Sequence, residues 1–313
     1  MRGFRALAHA STMEALSGPL SSVLFLVGVL SVHLSSVFHY HQFGNPLRLP
    51  HECGLSALFV FGLLFATSAV FRTVEGELSS GTASVALVRP LSRSLFFCSK
   101  VFGVFVALGV FLVGVFSASL LSSITAGIGQ VMSMKDGTTR LWPMGVQLGV
   151  VSPILSFFLA AACNRFFQMR FCFTSCLMVA LSQPVALLIA LSCMDMPFAS
   201  TGIDLLSVVL DFSCVTAAGF VFVAIAGALS VRLKPSYAAG LLVVMTVFSF
   251  LINLFETKAP LLAHFFRTFL PDLGKVWMPQ DFMTAIFVVG ACFCVTVIWL
   301  IIGSILIRGK EIL

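Results

Sequence analysis

Eight apolar stretches, each close to the length that crosses a bilayer, punctuate this chain at 19–38, 54–71, 101–124, 142–163, 171–193, 205–231, 237–255 and 282–307. A transmembrane helix needs about 20 such residues. Lipid offers no partner to backbone N–H and C=O groups, so a continuous apolar run can cross only as a helix that satisfies itself. The expected fold is therefore all-α, a polytopic transmembrane helix bundle of about eight spans, forming one membrane domain over residues 1–313. Composition agrees: of 313 residues 59% are hydrophobic and 10% charged, against about a quarter charged in soluble domains. The net charge of +6 does not point to nucleic acid, because the basic residues sit at the ends of apolar runs. Membrane lipid is the expected surrounding.

Orientation follows from those bases. With both termini cytoplasmic, the cytoplasmic segments hold twelve Lys and Arg and the outer segments six, as the positive-inside rule favours. The expected location is a bacterial cytoplasmic (inner) membrane. Residues 1–18 have Phe4, Leu7 and Ala8 on one helical face and Arg2, Arg5, His9 and Glu14 elsewhere, which fits a short helix in the interface or an extension of the first span. Residues 125–141 read as an irregular outer loop. Residues 256–281 mix charges with Phe265, Phe266, Phe269 and Trp277, as an outer interfacial helix would. The nine cysteines include no Cys-x-x-Cys pair and no zinc-type Cys/His spacing, so they read as small apolar fillers.

One polar island interrupts the apolar chain. Residues 72–100 read RTVEGELSSGTASVALVRPLSRSLFFCSK, with Arg72, Glu75, Glu77, Arg89, Arg93 and Lys100 in 29 residues. Such groups belong in water, at an interface or against protein. Pro90 ends any helix formed by the preceding apolar run. Ser92 is placed to cap a helix that continues into the third span. The predicted shape is helix, Pro turn, helix: a stiff cytoplasmic knob.

The island resembles the signature of ATP-binding-cassette (ABC) type-2 permeases, the bacterial export-type membrane subunits. The matching positions are an acid at Glu75 or Glu77, then Gly81 and Thr82, Leu87, Arg89-Pro90, Ser92-Arg93, and Lys100 followed by Gly103. Ser99 stands where Gly often precedes the Lys, and the longer gap from Glu77 to Gly81 leaves the choice of acid open. Leu229-Ser230-x-Arg232-Leu233-x-Pro235 and Leu270-Pro271-Asp272-Leu273 are similar to one branch of the family with extra spans. The resemblance implies a permease subunit of an ATP-driven exporter. It implies a second permease subunit, itself or a paralogue, and a separate ATPase that carries ATP and Mg. Glu75, Glu77, Gly81, Thr82, Arg89, Pro90, Arg93 and Lys100 would then form the coupling helix that docks on the ATPase.

No enzymatic motif competes. The nearest phosphate-loop look-alike, Gly303 to Lys310, has five residues between its glycines, not four, and Glu311 follows where a hydroxyl is required. ATP hydrolysis is not expected of this chain, and no cofactor or metal is expected in it. Two alternatives stay open. One is a redox subunit binding haem or quinone through His33, His39, His41 and His51, which otherwise read as a polar rim. The other is a non-transporting scaffold. Among intramembrane polar residues Gln183 and Asp211 are the candidates for a pathway, and Gly103, Gly109 and Gly114 for close helix contact.

Overall fold

The computed structural model describes residues 2–36, 47–79, 92–136, 142–194, 203–258, 260–277 and 281–309. Every regular element among them is helical: α1 Arg2–Leu16, α2 Pro19–Ser35, α3 Arg48–Val70, α4 Arg93–Asp136, α5 Pro143–Phe167, α6 Phe171–Ser192, α7 Leu205–Ser230, α8 Pro235–Lys258, α9 Pro260–Phe269, α10 Leu273–Trp277 and α11 Phe282–Arg308. Helix α3 does not stop at Val70. It widens into one π-turn over Phe71–Glu75, where the Gly76 amide donates to Phe71 O, and closes with Gly76–Ser79.

Among the described residues seven helices are long and apolar enough to cross a membrane: α3 with its extension, α4, α5, α6, α7, α8 and α11. The chain is an all-α, membrane-embedded helical protein. Helix α2 has 17 residues and qualifies only together with α1, as a bent pair that would make an eighth crossing.

Local chemistry explains the boundaries. Pro opens α2, α5, α8 and α9, at the position where its missing N–H costs nothing. Ser92 caps α4, its Oγ accepting from the Leu95 amide at 3.2 Å. Gln168 takes φ 57 at the end of α5, the left-handed cap that lets the chain turn into α6. The irregular loop expected at 125–141 is instead helical through Asp136. No Pro breaks that stretch, and burial of Thr125, Ala126 and Ile128 outweighs the weak helix propensity of its glycines.

The described chain divides into two compact units, each assembled from separated segments. One comprises Leu16–Gly62 and Gly109–Val208. Its centre is the α5–α6 hairpin with α2 laid against both helices. Leu121, Ile124, Ile128, Trp142, Ala186 and Ala190 form its apolar cluster. Gly114 lies on the Ala180 backbone, with room for a Cβ only 3.2 Å from Ala180 Cα. The expectation of close contact at Gly114 therefore holds, whereas Gly109 has nothing within 4 Å.

The other unit comprises Met1–Ala15, Leu63–Leu108 and Val209–Leu313. Helix α7 is its buried centre, with Phe212, Val221, Phe222 and Ile225 nearly inaccessible. The fully buried Phe97 ring fills a slot whose walls are Gly227 and Gly303, and a Cβ on Gly303 would overlap it. Gly303, which mimics a phosphate loop in sequence, is thus a helical residue of α11 shaped to an aromatic ring. Helices α9 and α10 fold back on α8 and α11. Trp299 Nε1 donates to Phe269 O at 2.7 Å, which fixes that return.

Candidate functional site

The polar island meets the membrane helices at the base of α4, and there the sequence forces a cation inside. Lys100 lies eight positions into the Ser92-capped helix, with Phe96, Phe97, Val101 and Val104 around it, all fully buried. Its own side chain is 2% exposed. Nζ lies 2.5 Å from Glu77 Oε1 and 3.3 Å from Glu14 Oε2, and 5.9 Å from the centre of the Phe96 ring. Glu77 follows the π-turn of α3 and Glu14 belongs to α1, so one ammonium joins three helices. A buried cation needs such partners, since desolvation otherwise drives it neutral or out of the fold.

The same corner is stitched by neutral bonds. Ser11 Oγ donates to Lys100 O at 2.9 Å, and Thr12 Oγ1 to Gly103 O at 3.0 Å. Arg72, in the π-turn, donates from Nη2 to Ala15 O at 2.7 Å. Gly103 is required here, because a Cβ would overlap Ser11 and the Ala8 carbonyl. The tight fit expected of Gly103 is thus met by α1. At the very start of α4, Arg93 Nη1 donates to Arg308 O at 3.2 Å, and Arg308 Nε donates to Ser94 Oγ at 2.8 Å. The first turns of α4 are therefore tied to α1, α3 and α11.

Of the residues expected to couple to an ATPase, Glu77 and Lys100 are brought together, with each other. Glu75 is half-buried on the same turn, and Arg93 is exposed. Gly81, Thr82, Arg89 and Pro90, with the turn expected at Pro90, lie outside the described residues. Glu14, read from the sequence only as a polar residue of the interfacial helix, was not among the site candidates, although it is the sole carboxylate before Glu52 in an apolar chain.

A second polar cluster lies in the other unit. His33 Nε2 donates to Gln183 Oε1 at 2.8 Å, and Gln183 Nε2 donates to Ser152 Oγ and Ser182 Oγ, both at 3.1 Å. Gly149 leaves the space for the imidazole. The polar-rim expectation fails for His33, which is 3% exposed. It points into the helix cluster, because Gln183 offers a buried acceptor there. His39 and His41 lie outside the described residues. Gln183, singled out as a pathway residue, is fully buried with its amide engaged on both sides. Asp211 is half-buried on α7, seven residues into the helix. Among the described residues no three His, Cys, Asp or Glu side chains converge as metal ligands.

The architecture and these two clusters define the class: a polytopic all-α membrane protein with a braced junction between a polar segment and its longest helix. No family model, curated protein or solved structure matches the chain.

Proposed function

We propose that the chain is the membrane permease subunit of an ATP-driven, export-type ABC transporter, energised by a separate ATPase subunit. In this reading it has eight spans, with α1 and α2 together as the first, and both termini face the cytoplasm of a bacterial inner membrane. Two permease subunits, identical or paralogous, sit above two ATPases. The observation that carries the proposal is the junction at the island. A segment with the family's residue pattern opens through the Ser92 cap onto a 44-residue helix whose base is clamped by Lys100, Glu77 and Glu14. A transporter needs a stiff element between a moving nucleotide domain and the membrane helices. Arg89, Pro90 and Arg93 would meet the ATPase, while Glu77 and Lys100 hold the helix they push.

The test uses Arg93→Glu and Pro90→Ala in the complete complex. Both should insert at normal levels; for Arg93→Glu, an exposed charge change costs within about 0.5 kcal/mol. Both should weaken ATPase association and abolish substrate-stimulated hydrolysis. Full coupling in both variants, or purification of a stable chain with no ATPase attached, would overturn the proposal.

A further inference from the structure

We propose that the tip of the α5–α6 hairpin is a binding site for anionic membrane lipid, holding the phosphate with Arg165 and Arg170 and the acyl boundary with Phe166 and Phe167. Across residues 141–194 these two arginines are the only charged side chains, with no Asp, Glu, Lys or His. Both stand at the tip, and between them the chain reads Phe166-Phe167-Gln168-Met169. Every residue from Asn164 to Arg170 is exposed, Phe166 at 78% and Phe167 at 74%, so no protein covers either ring. The turn itself is fixed: Gln168 takes φ 57, and Asn164 Nδ2 donates to Met169 O at 2.6 Å.

The two legs set the depth of the tip. From Pro143 to Cys163 helix α5 rises about 30 Å, and α6 rises about 32 Å from Phe171 to Ser192. Each matches the hydrocarbon thickness of a bilayer, about 30 Å. The residues between Cys163 and Phe171 therefore fall in the headgroup layer, about 5–8 Å deep on each face. Rings at that level turn toward the acyl boundary, and guanidinium groups toward the phosphates. Neither Arg165 nor Arg170 has its guanidinium engaged among the described residues, by hydrogen bond or by ion pair. Arg165, in the last turn of α5, suits the dipole of that helix. Arg170 does not suit its own: it is the N-cap of α6, where a cation is unfavourable. A phosphate diester at this level offsets that cost and matches the guanidinium geometry. Free phosphate would leave the exposed rings in water, and a zwitterionic lipid would bring a like charge to the arginines. This inference does not depend on the ATPase-coupling proposal.

The test is native mass spectrometry of the full chain, delipidated in detergent and titrated with phosphatidylglycerol or phosphatidylcholine of identical acyl chains. Wild type should retain phosphatidylglycerol under activation that strips phosphatidylcholine. Arg165→Gln and Arg170→Gln should each weaken phosphatidylglycerol retention about fivefold and leave phosphatidylcholine unchanged. Phe166→Ser with Phe167→Ser should weaken both lipids. Arg48→Gln makes the same change in net charge, but Arg48 is already paired with Glu52 at 2.6 Å, so it should change neither. Variants are compared only where gel filtration and melting match wild type, as substitutions at exposed positions generally allow. A second measurement needs no such comparison: a benzophenone side chain in place of Phe167, photolysed in native membranes, should gain the mass of a phospholipid. Equal retention of the two lipids, an unchanged preference after both arginines are replaced, or the same loss from Arg48→Gln would each overturn the proposal. So would attachment of the benzophenone to a second copy of the chain or to any other protein.

Discussion

At the base of α4 a full charge is buried. In the α2–α5–α6 cluster only neutral groups are. Lys100 is enclosed by Phe96, Phe97 and Val101 and is balanced by two carboxylates that keep partial access to water, at 33% and 27% exposure. His33, Gln183 and Ser152 use short, neutral hydrogen bonds between helices. The difference follows from depth along the helix. Lys100 is near the start of α4, beside the polar island, where its carboxylates can stay solvated. Gln183 is thirteen residues into α6, where an ion pair would have no water on either side. Charge is therefore used where solvent reaches one partner, and neutral amide and imidazole where it does not. The ionic cluster is also the more brittle one: losing the carboxylates strands a cation, whereas losing an amide strands dipoles.

That contrast predicts a ranking of effects. The largest should come from Glu14→Gln with Glu77→Gln, which leaves Lys100 buried without a counter-charge. A loss of about 3–5 kcal/mol is expected, read as a lower melting temperature in detergent and earlier proteolysis near Lys100. Adding Lys100→Met to the double variant should restore much of it. If the added substitution brings no recovery, the cation is not what makes this corner brittle.

Next is Gly303→Leu, which overlaps Phe97 in the same unit. Overpacking of this kind costs about 1–3 kcal/mol, and Phe97→Ala should relieve the clash in the double variant. A Gly303→Leu protein that melts like wild type would mean the slot yields, and that bonded charge alone fixes the base of α4. Ser92→Ala removes the cap of α4 and should cost about 1 kcal/mol, seen as faster amide exchange at Ser94 and Leu95 with little change deeper in the helix.

The smallest effect should be Gln183→Leu, about 0.6 kcal/mol, as for typical hydrogen bonds between membrane helices. It should alter the environment of the His33 imidazole, visible by nitrogen NMR of labelled histidine, while melting hardly moves. If Gln183→Leu destabilises more than the Glu14/Glu77 pair, the ordering is inverted and the neutral cluster is the principal brace.

Much of this was legible in one dimension. Apolar length dictated the helices, because lipid leaves a backbone no other way to satisfy itself. The start of α4 could be read from Ser92, since capping is a local bond spanning three residues. The helix running through 125–136 could not be read, because its glycines and polar residues argue for a loop, whereas in the fold Ile124 and Ile128 pack with Trp142 and the α6 alanines. The island's charges were visible, but their partners were not. Glu77 and Lys100 are 23 residues apart and Glu14 is 86 from Lys100, and no local rule joins such distances. Gly303 makes the same point: spacing alone rules its neighbours out as a phosphate loop, but its real constraint, a ring from α4, exists only in the folded chain. Hydrophobic length and local capping acted through neighbours in the chain, so the sequence alone determined them. Which carboxylates neutralise Lys100, and which glycines admit Phe97 and the His33 ring, depended on long-range contacts that exist only once the helices have docked.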